Sequence, residues 1–311
     1  MSFQFKQMIM NHRRGSQSAG YKVAIDCKAK LIPTGTTQDW LESLTTLATL
    51  DDSKKDMDDR KILSGILDKH QRIVAKVALA ADNIYKELQV SRKLKEKRVK
   101  CIMHYYCYFE CADDIKKYTA ATTVQHMCEQ TGMQIQVLLM EHISNSSVGT
   151  FAWTPTTLPA LKSLCKQFVC TMVDAFTKCG FVHGDTNLQN MLFKNTTVKD
   201  MTWNTLTIPT VGVKLVIMDF EFSKFDAAPT KFNQDIRRFF EKLRDHNYVE
   251  LNCEKICEVC MVLRNSETAT DFLQLIDMID DITYVGKRQP IVVRRYNPNV
   301  FGGRQMCGQD K

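Results

Sequence analysis

The feature of this sequence that most constrains its fold is a polar loop within residues 181–193, with apolar residues at both ends of that range. The segment contains Asp185 and Asn190, and it follows a stretch, Leu158–Lys178, whose apolar residues recur at helical spacing. Farther along the chain, another apolar run ends at Asp219. The sequence therefore predicts a helix, then a polar loop, then a buried strand that ends in a carboxylate.

The residue types of this loop suit phosphoryl transfer. That reaction needs magnesium held against the nucleotide phosphates and a carboxylate beside the attacking hydroxyl, and it needs little covalent chemistry from the protein. Asp185 can supply the carboxylate, while Asn190 and Asp219 can supply oxygen ligands for the metal. The three residues therefore form a candidate phosphotransfer site.

The loop pattern H-G-D-x-x-x-x-N, which begins at His183, and the Asp-Phe pair at Asp219 together resemble the protein kinase superfamily. The resemblance is to the variant that has H-G-D in place of H-R-D, and it covers roughly Lys61–Val285. It implies a kinase dependent on ATP and magnesium, with Asp185 as the catalytic aspartate and Asn190 and Asp219 as magnesium ligands. His183 is expected to be structural.

An upstream strand-like run, Arg72–Leu79, resembles the kinase strand that carries the phosphate-binding lysine, and Lys76 is the matching residue. A lysine flanked by valine and alanine is costly to leave unpaired if it points inward. Glu87, in the next predicted helix, is the expected partner. The alternative is that both charges are exposed.

The run Val137–Ile143 resembles the strand that enters the hinge between kinase lobes, where adenine binds. The resemblance implies that Met140, Glu141 and Ile143 contact the nucleotide. Farther on, Asp235 matches the helix aspartate that supports the backbone of the catalytic loop.

The order of the predicted elements indicates an α+β fold with a bilobal, protein-kinase-like outline, in which a small β-rich N-lobe precedes a larger α-helical C-lobe. The predicted domains are an N-terminal extension at 1–55, the N-lobe at 56–143, the C-lobe at 144–285 and a basic tail at 286–311. The predicted elements before the C-lobe are helices Thr37–Leu50 and Asn83–Lys97, strands Lys61–Leu67, Arg72–Leu79, Cys101–Phe109 and Gln134–Met140, and a turn at Asp68–Gln71.

Several positions depart from the kinase pattern. A glycine-rich phosphate loop is missing before Lys76, and Asn187 stands where serine/threonine kinases carry a lysine. Glu221 replaces the glycine of the metal-binding triplet, which predicts a stiffer hinge. The stretch Lys194–Gly212 is predicted to be a surface insertion.

The segment between Glu221 and Asp235 is too short for an activation segment controlled by phosphorylation. Such a compact lobe resembles the divergent kinases of large DNA viruses. We therefore predict a serine/threonine protein kinase, whose open loop accepts a protein substrate. The net charge of +7 favours acidic acceptors.

Two alternatives remain open. A small-molecule kinase of the aminoglycoside or choline kinase type also uses H-G-D loops, and Leu251–Met278 is the candidate region for its substrate-binding helices. A catalytically weak pseudokinase would explain the missing glycine-rich loop, although the retained Lys76, Asp185, Asn190 and Asp219 argue against it.

Charge and apolar patterning exclude some partners. The basic runs Arg92–Lys100 and Lys287–Arg295 are interpreted as solvated faces, so neither a nucleic-acid partner nor a membrane partner is predicted. Apolar stretches fall short of the roughly 18 residues that a bilayer span requires. The start of the sequence lacks the apolar core of a signal peptide. We expect a cytoplasmic or nuclear protein, in the host cell cytoplasm if it is viral, and not a secreted one.

The 12 cysteines are expected to be free thiols in such a reducing compartment. The spacing of Cys253, Cys257 and Cys260 fits either a zinc site or one face of a helix. Because Ile256 and Met261 share this segment, a buried helix face is the favoured interpretation.

Overall fold

The computed structural model combines helices and strands, and it describes residues 26–27, 48–49, 60–67, 71–79, 84–111, 135–144, 146–204, 206–246, 251, 253–265 and 272–284. The chain divides into two compact units. The first unit comprises Met1–Asp82 and Tyr106–Leu139, and the second comprises Asn83–Tyr105 and Met140–Lys311. The predicted domain boundaries stay predictions, and the basic tail 286–311 and most of the extension 1–55 lie outside the described residues.

The first unit is built on an antiparallel hairpin within a six-stranded sheet of order β1-β5-β6-β4-β3-β2. The hairpin pairs β3 with β4 from Arg60↔Ala78 to Leu67↔Gln71, which confirms the predicted strand pair. The residues of the predicted turn between them, 68–70, lie outside the described part of the chain. The strands are β1 Asp26–Cys27, β2 Ala48–Thr49, β3 Arg60–Leu67, β4 Gln71–Leu79, β5 Tyr105–Cys111 and β6 Ile135–Glu141.

Two predicted elements differ from the observed ones. The end of the predicted helix Thr37–Leu50 is wrong, because Ala48 and Thr49 form β2 and pair with β3; residues 37–47 and 50 lie outside the described part. Strand β5 begins at Tyr105 instead of Cys101. Cys101 has a positive φ of 58°, and its carbonyl accepts a hydrogen bond from the Ile217 amide at 2.7 Å. A contact distant in sequence therefore holds the start of the predicted strand.

The second unit contains the predicted long helix α2, Leu158–Cys179, together with four short strands. Strand β7 pairs antiparallel with β10, and β8 with β9. None of the helices in the described ranges is both long enough and apolar enough to cross a membrane. The other elements are α1 Tyr85–Glu96, a 3-10 turn Leu188–Asn190, β7 Met191–Asn195, β8 Asp200–Trp203, β9 Leu206–Pro209, β10 Val213–Ile217, α3 Pro229–Asp245, α4 Cys253–Asn265 and α5 Phe272–Asp280.

The core of the second unit forms where α2 meets α3. Phe168 of α2 stacks on Phe239 of α3 with ring centroids 4.1 Å apart. The predicted apolar stripe of α2 is buried, because Leu161, Leu164 and Met172 are at most 1% exposed. Burial of such side chains stabilises the folded chain by roughly 1.5–3 kcal/mol each. This packing places the end of α2, and the loop after it, against α3.

The predicted surface insertion Lys194–Gly212 is largely a packed hairpin. Its apolar residues Met201, Trp203 and Ile208 are buried, and the hydroxyl of Ser163 on α2 donates to the Pro209 carbonyl at 2.6 Å. The prediction of a surface insertion is therefore wrong for the face that packs toward α2.

The cysteine triplet lies on α4, as the helix interpretation predicted. Cys260 and Ile256 are buried, whereas Met261 is 54% exposed and does not belong to the buried face. The side chains of Cys253 and Cys257 lie outside the described part. In the ranges described, no group of three or more His, Cys, Asp or Glu residues could hold a metal ion.

Candidate active site

The loop that follows α2 is held by the carboxylate of Asp235 on α3. The Oδ2 atom accepts hydrogen bonds from the amides of His183 at 2.5 Å and Gly184 at 3.1 Å, and Oδ1 accepts from Gly184 at 3.2 Å. The Thr186 hydroxyl donates to the Asp235 carbonyl at 2.7 Å. The predicted support of the loop backbone by Asp235 is therefore confirmed.

Asp235 is only 4% exposed. Burial raises the pKa of this carboxyl above its ordinary value of 3.8, while the amides of Gly184 and His183 and the charge of Arg238 act in the opposite direction. A buried carboxylate is tolerated when donors surround it. Arg238 also donates to the Gly184 carbonyl at 2.7 Å, so α3 holds the loop at both its amide and its carbonyl groups.

Gly184 is required by its surroundings. Its φ is +83°, which L-residues with a side chain rarely adopt, and a Cβ there would lie 2.5 Å from the Phe222 carbonyl oxygen. The glycine of the H-G-D pattern therefore allows the segment after Asp219 to approach the loop closely.

The side chains of Asp185 and Asn190 are brought together. The Asn190 amide nitrogen donates to the Asp185 carbonyl at 3.1 Å and to its Oδ2 at 3.0 Å. Because both amide hydrogens are used in this way, the oxygen Oδ1 is the atom of Asn190 left for a metal. Asn187, which replaces the expected lysine, caps the 3-10 turn by accepting from the Gln189 amide at 3.3 Å.

Asp219 follows β10, and its backbone is joined to the loop. The Met218 amide donates to the Asn190 carbonyl at 3.0 Å. The ring of His183 links the same segments, because its Nε2 bonds to the Met218 carbonyl at 2.9 Å and its Nδ1 accepts from the Asp185 amide at 3.3 Å. This arrangement assigns the ring proton to Nε2. The structural role predicted for His183 is confirmed, and the backbones of Met218, which precedes Asp219, and Asn190 lie side by side.

Tyr105 is a site residue that the sequence reasoning missed. Its hydroxyl donates to Glu87 Oε2 at 3.0 Å and accepts from the Asp219 amide at 3.2 Å. Burial, and next the charge of Glu87, raise the pKa of Tyr105 well above its ordinary value of 10.0. The hydroxyl therefore stays protonated and can donate. The aromatic residues of the predicted strand gave a signal for packing, but none for these contacts distant in sequence.

The Phe220 ring is fully buried beneath the loop. It lies 5.5 Å from the His183 ring, 6.1 Å from Tyr105 and 6.1 Å from Phe181, as measured between centroids. The tilted and edge-on ring arrangements are those that aromatic side chains prefer. The Asp-Phe pair is thus anchored by its phenylalanine.

The residues predicted to bind the nucleotide are only partly located by these contacts. Lys76 is buried on β4 of the first unit, and its phosphate-binding role and its pairing with Glu87 stay predictions. Met140 is buried, and Ile143 is half-buried. The carboxylate of Glu141 forms a salt bridge with Lys194 of β7. Their contact with adenine also stays a prediction.

The donor set of the site fits magnesium. Asp219 offers a carboxylate, and Asn190 offers an amide oxygen whose direction is set by the two hydrogen bonds of its nitrogen. Magnesium prefers oxygen ligands, keeps several waters and is commonly held by one or two side chains together with substrate phosphates. The carboxylate of Asp185 contacts Asn190, one of these two candidate ligands, so an acceptor group could be held near the metal.

The chain was compared with protein families, with curated proteins and with solved structures. No protein-family model matches the chain, and no curated protein matches it either. Among solved structures, the chain is similar to "WaaP in complex with acyl carrier protein", with a TM-score of 0.44 and 16% sequence identity, over 78% of this chain and 90% of that chain. A similarity of this size assigns no family. The function proposed below therefore depends on the residues of the site.

Proposed function

We propose that this chain is a kinase-like phosphotransferase that uses ATP and magnesium to phosphorylate serine or threonine residues of proteins. The observation that carries the proposal is the pair of hydrogen bonds from Asn190 to Asp185, at 3.1 and 3.0 Å, beside the backbone bond from Met218 to Asn190. These bonds join the loop carboxylate of Asp185 to Asn190, and join Asn190 to Met218, the residue before Asp219. Their order along the chain is that of the kinase pattern.

Asp185 would accept a hydrogen bond from the acceptor hydroxyl, orient it and take its proton as the oxygen attacks. Asn190, through Oδ1, and Asp219 would hold magnesium. Bound there, magnesium would offset the charge of the nucleotide phosphates. Asp235 contributes indirectly, because it fixes the backbone amides that lead into Asp185.

For the nucleotide, we propose that Lys76 binds the phosphates and that Glu87 orients that lysine. Met140, Glu141 and Ile143 would contact the adenine. The burial of Lys76 at 6% exposure supports a specific role for this lysine, because fully solvated lysines are the rule.

The proposal of a protein acceptor is supported by the path of the chain after Glu221. Lys224 exchanges two backbone hydrogen bonds with Val182, each 2.9 Å, and the Ala227 amide donates to the Gly180 carbonyl at 3.0 Å. The segment therefore returns to α3 along the end of α2. An extended peptide could then bring its hydroxyl to Asp185, and the net charge of +7 would favour an acidic peptide.

The proposal is tested by incubating the full chain with labelled ATP and magnesium. The acceptors are casein in one arm, and choline or an aminoglycoside in the others. We expect label on serine or threonine of casein. If only a small molecule is labelled, the acceptor is a small molecule and not a protein. If no acceptor is labelled and the chain does not bind nucleotide, the proposal of a phosphotransferase is refuted.

Site variants separate chemistry from binding. Asp185→Asn should lower turnover by about 10²-fold or more while the thermal stabilisation by magnesium and ATP persists, because this residue acts on the acceptor. Asp219→Asn should abolish most of the magnesium-dependent stabilisation. Asp200→Asn, at an exposed position on β8, is the matched control and should change neither quantity.

A further inference from the structure

The turn Asp219–Glu221 is held by α1 at two points. At the first, the Tyr105 hydroxyl joins the Asp219 amide to the Glu87 carboxylate, with distances of 3.2 and 3.0 Å. At the second, the Lys86 ammonium group donates to the Glu221 carbonyl at 2.6 Å. The two hydrogen bonds hold the backbone on either side of Phe220. The candidate metal-binding residue thus sits in a turn whose ends are tied to one helix.

The first contact depends on the hydroxyl of Tyr105. The side chain is 5% exposed and Glu87 is fully buried, so solvent does not readily replace the hydroxyl in this position. A phenol can donate one hydrogen bond and accept another at the same oxygen. Phenylalanine would keep the ring packing on Phe220, 6.1 Å between centroids, and lose both hydrogen bonds.

Helix α1 is itself fastened to the strand that leads into Asp219. The Ser91 hydroxyl donates to the Met103 carbonyl at 3.0 Å, and the Met103 amide donates to the Ile217 carbonyl at 2.9 Å. The helix, the segment just before β5 and the end of β10 are therefore joined by hydrogen bonds. Movement of the helix relative to Asp219 would break these bonds.

The backbone of Asp219 needs such support. Its φ is +65°, in the left-handed region that residues other than glycine rarely enter. Aspartate tolerates this region better than most residues, but at a cost. A hydrogen bond to the Asp219 amide favours the observed conformation over extended alternatives.

We propose that Tyr105 and Lys86 are positioning residues that hold Asp219 in its metal-binding conformation and so set the affinity of the site for magnesium. The inference rests on the proposed function, because it concerns the same metal. The physical reason is a population effect. If only a fraction of the chains hold Asp219 in the competent conformation, the apparent affinity for the metal falls by that fraction.

The test is a magnesium titration of the full chain at a fixed, saturating ATP concentration. The measured quantity is the magnesium concentration that gives half of the maximal thermal stabilisation. We expect Tyr105→Phe to raise it about three- to tenfold, the range that loss of one hydrogen bond supports. A general loss of stability would lower the melting temperature with and without ligand, and would leave this concentration unchanged.

Lys86→Met tests the second contact. For this variant, the change in magnesium affinity expected from loss of the contact is opposite to the change expected from the charge alone. Removal of a positive charge near a cation site would by itself strengthen magnesium binding, whereas loss of the contact to Glu221 should raise the half-maximal magnesium concentration about two- to fivefold. The controls are Lys97→Met, which removes an exposed charge just after α1, and Tyr108→Phe, which removes another buried tyrosine hydroxyl on β5.

The outcomes distinguish the two proposals. A wild-type chain without magnesium-dependent stabilisation by ATP overturns the proposed function and, with it, this inference. The inference alone is overturned if the wild type responds normally and the half-maximal magnesium concentration is unchanged in both Tyr105→Phe and Lys86→Met. If Tyr105→Phe does not fold, Lys86→Met decides, since its side chain is only half-buried; an unchanged or lower magnesium requirement then refutes the proposal.

Discussion

Replacement of Asp235 probes the support of the catalytic loop most directly. Its carboxylate accepts from two buried or half-buried backbone amides, those of His183 and Gly184, through both oxygens. Asp235→Ala removes the acceptor of both amides. Asp235→Asn keeps one oxygen, which can occupy the Oδ2 position and serve both amides, but it loses the negative charge. The two variants therefore form a graded series.

The expected magnitudes follow from these contacts. An amide left without an acceptor in a buried site costs about 1–3 kcal/mol, so Asp235→Ala should destabilise the second unit by about 2–6 kcal/mol. Asp235→Asn should cost about 1–2 kcal/mol, because hydrogen bonds to a charged group exceed neutral ones by roughly that amount. In chains of 150 to 250 residues, each kcal/mol lowers Tm by roughly 2–4 °C.

The assay combines thermal melting with amide hydrogen exchange of a peptide that covers residues 182–190. Exchange is needed because a chain with two compact units need not melt in one transition. The control is Asp277→Ala at an exposed position on α5. Two results would refute the reasoning. In the first, Asp235→Ala loses no more protection against amide exchange than the control does. In the second, Asp235→Asn and Asp235→Ala lose equal protection.

Three further predictions address other parts of the chain. Gly184→Ala should lower Tm more than Gly212→Ala. The φ angle is positive at both positions, but only at Gly184 would a Cβ meet a backbone atom, at 2.5 Å. Equal shifts of the two melting curves would contradict this prediction. Burial lowers the pKa of His246 from its ordinary 6.5. The unfolded chain then binds more protons, so wild-type Tm should fall as the pH drops below about 6.5, and His246→Gln should reduce this dependence. Burial raises the pKa of Cys101 to about 11 and that of Cys165 to about 12. Mass spectrometry after iodoacetamide treatment at about pH 8 should find both unmodified in the native chain and alkylated in urea.

The parts of the fold that sequence could predict are those with a local signal. The hairpin of β3 and β4 was predicted from two runs rich in Ile, Val and Leu on either side of a polar turn. Helix α2 was predicted from apolar residues that recur at helical spacing. Asp235 was found through its pattern along the chain. In each case the information lies within about one element, so periodicity or a short motif suffices.

The parts that sequence did not predict depend on contacts between distant residues. Tyr105 serves the site through Asp219, which is 114 positions away, and the start of β5 is displaced because Cys101 bonds to Ile217. The hairpin β8–β9 was mistaken for a surface insertion, although Met201 and Trp203 alternate with polar residues as on a half-buried strand. That last signal was present in the sequence and was overlooked.

Glu221 shows how the frame around Asp219 changes the meaning of a departure from the kinase pattern. A glycine at that position would matter if the backbone there were left-handed, but within the turn Asp219–Glu221 the positive φ, 65°, belongs to Asp219 and not to Glu221. A side chain at 221 therefore causes no backbone strain, and its carbonyl accepts from Lys86 at 2.6 Å. The stiffness of this turn stays a prediction, and its physical basis would be the contacts to α1 instead of the loss of glycine.

The segment after this turn is equally fixed. A Cβ at Gly180, where φ is +58°, would lie 2.7 Å from the Asp226 backbone, so the segment packs directly on the end of α2. Val182 and Lys224 add two backbone hydrogen bonds of 2.9 Å. Each of these contacts is made by backbone groups or by uncharged packing, so none of them needs the charge of a phosphate. A switch by phosphorylation requires a segment with two alternative arrangements. Groups of the chain itself hold both the turn at Asp219 and the segment that returns to α3. We therefore predict that the candidate site does not depend on such a switch.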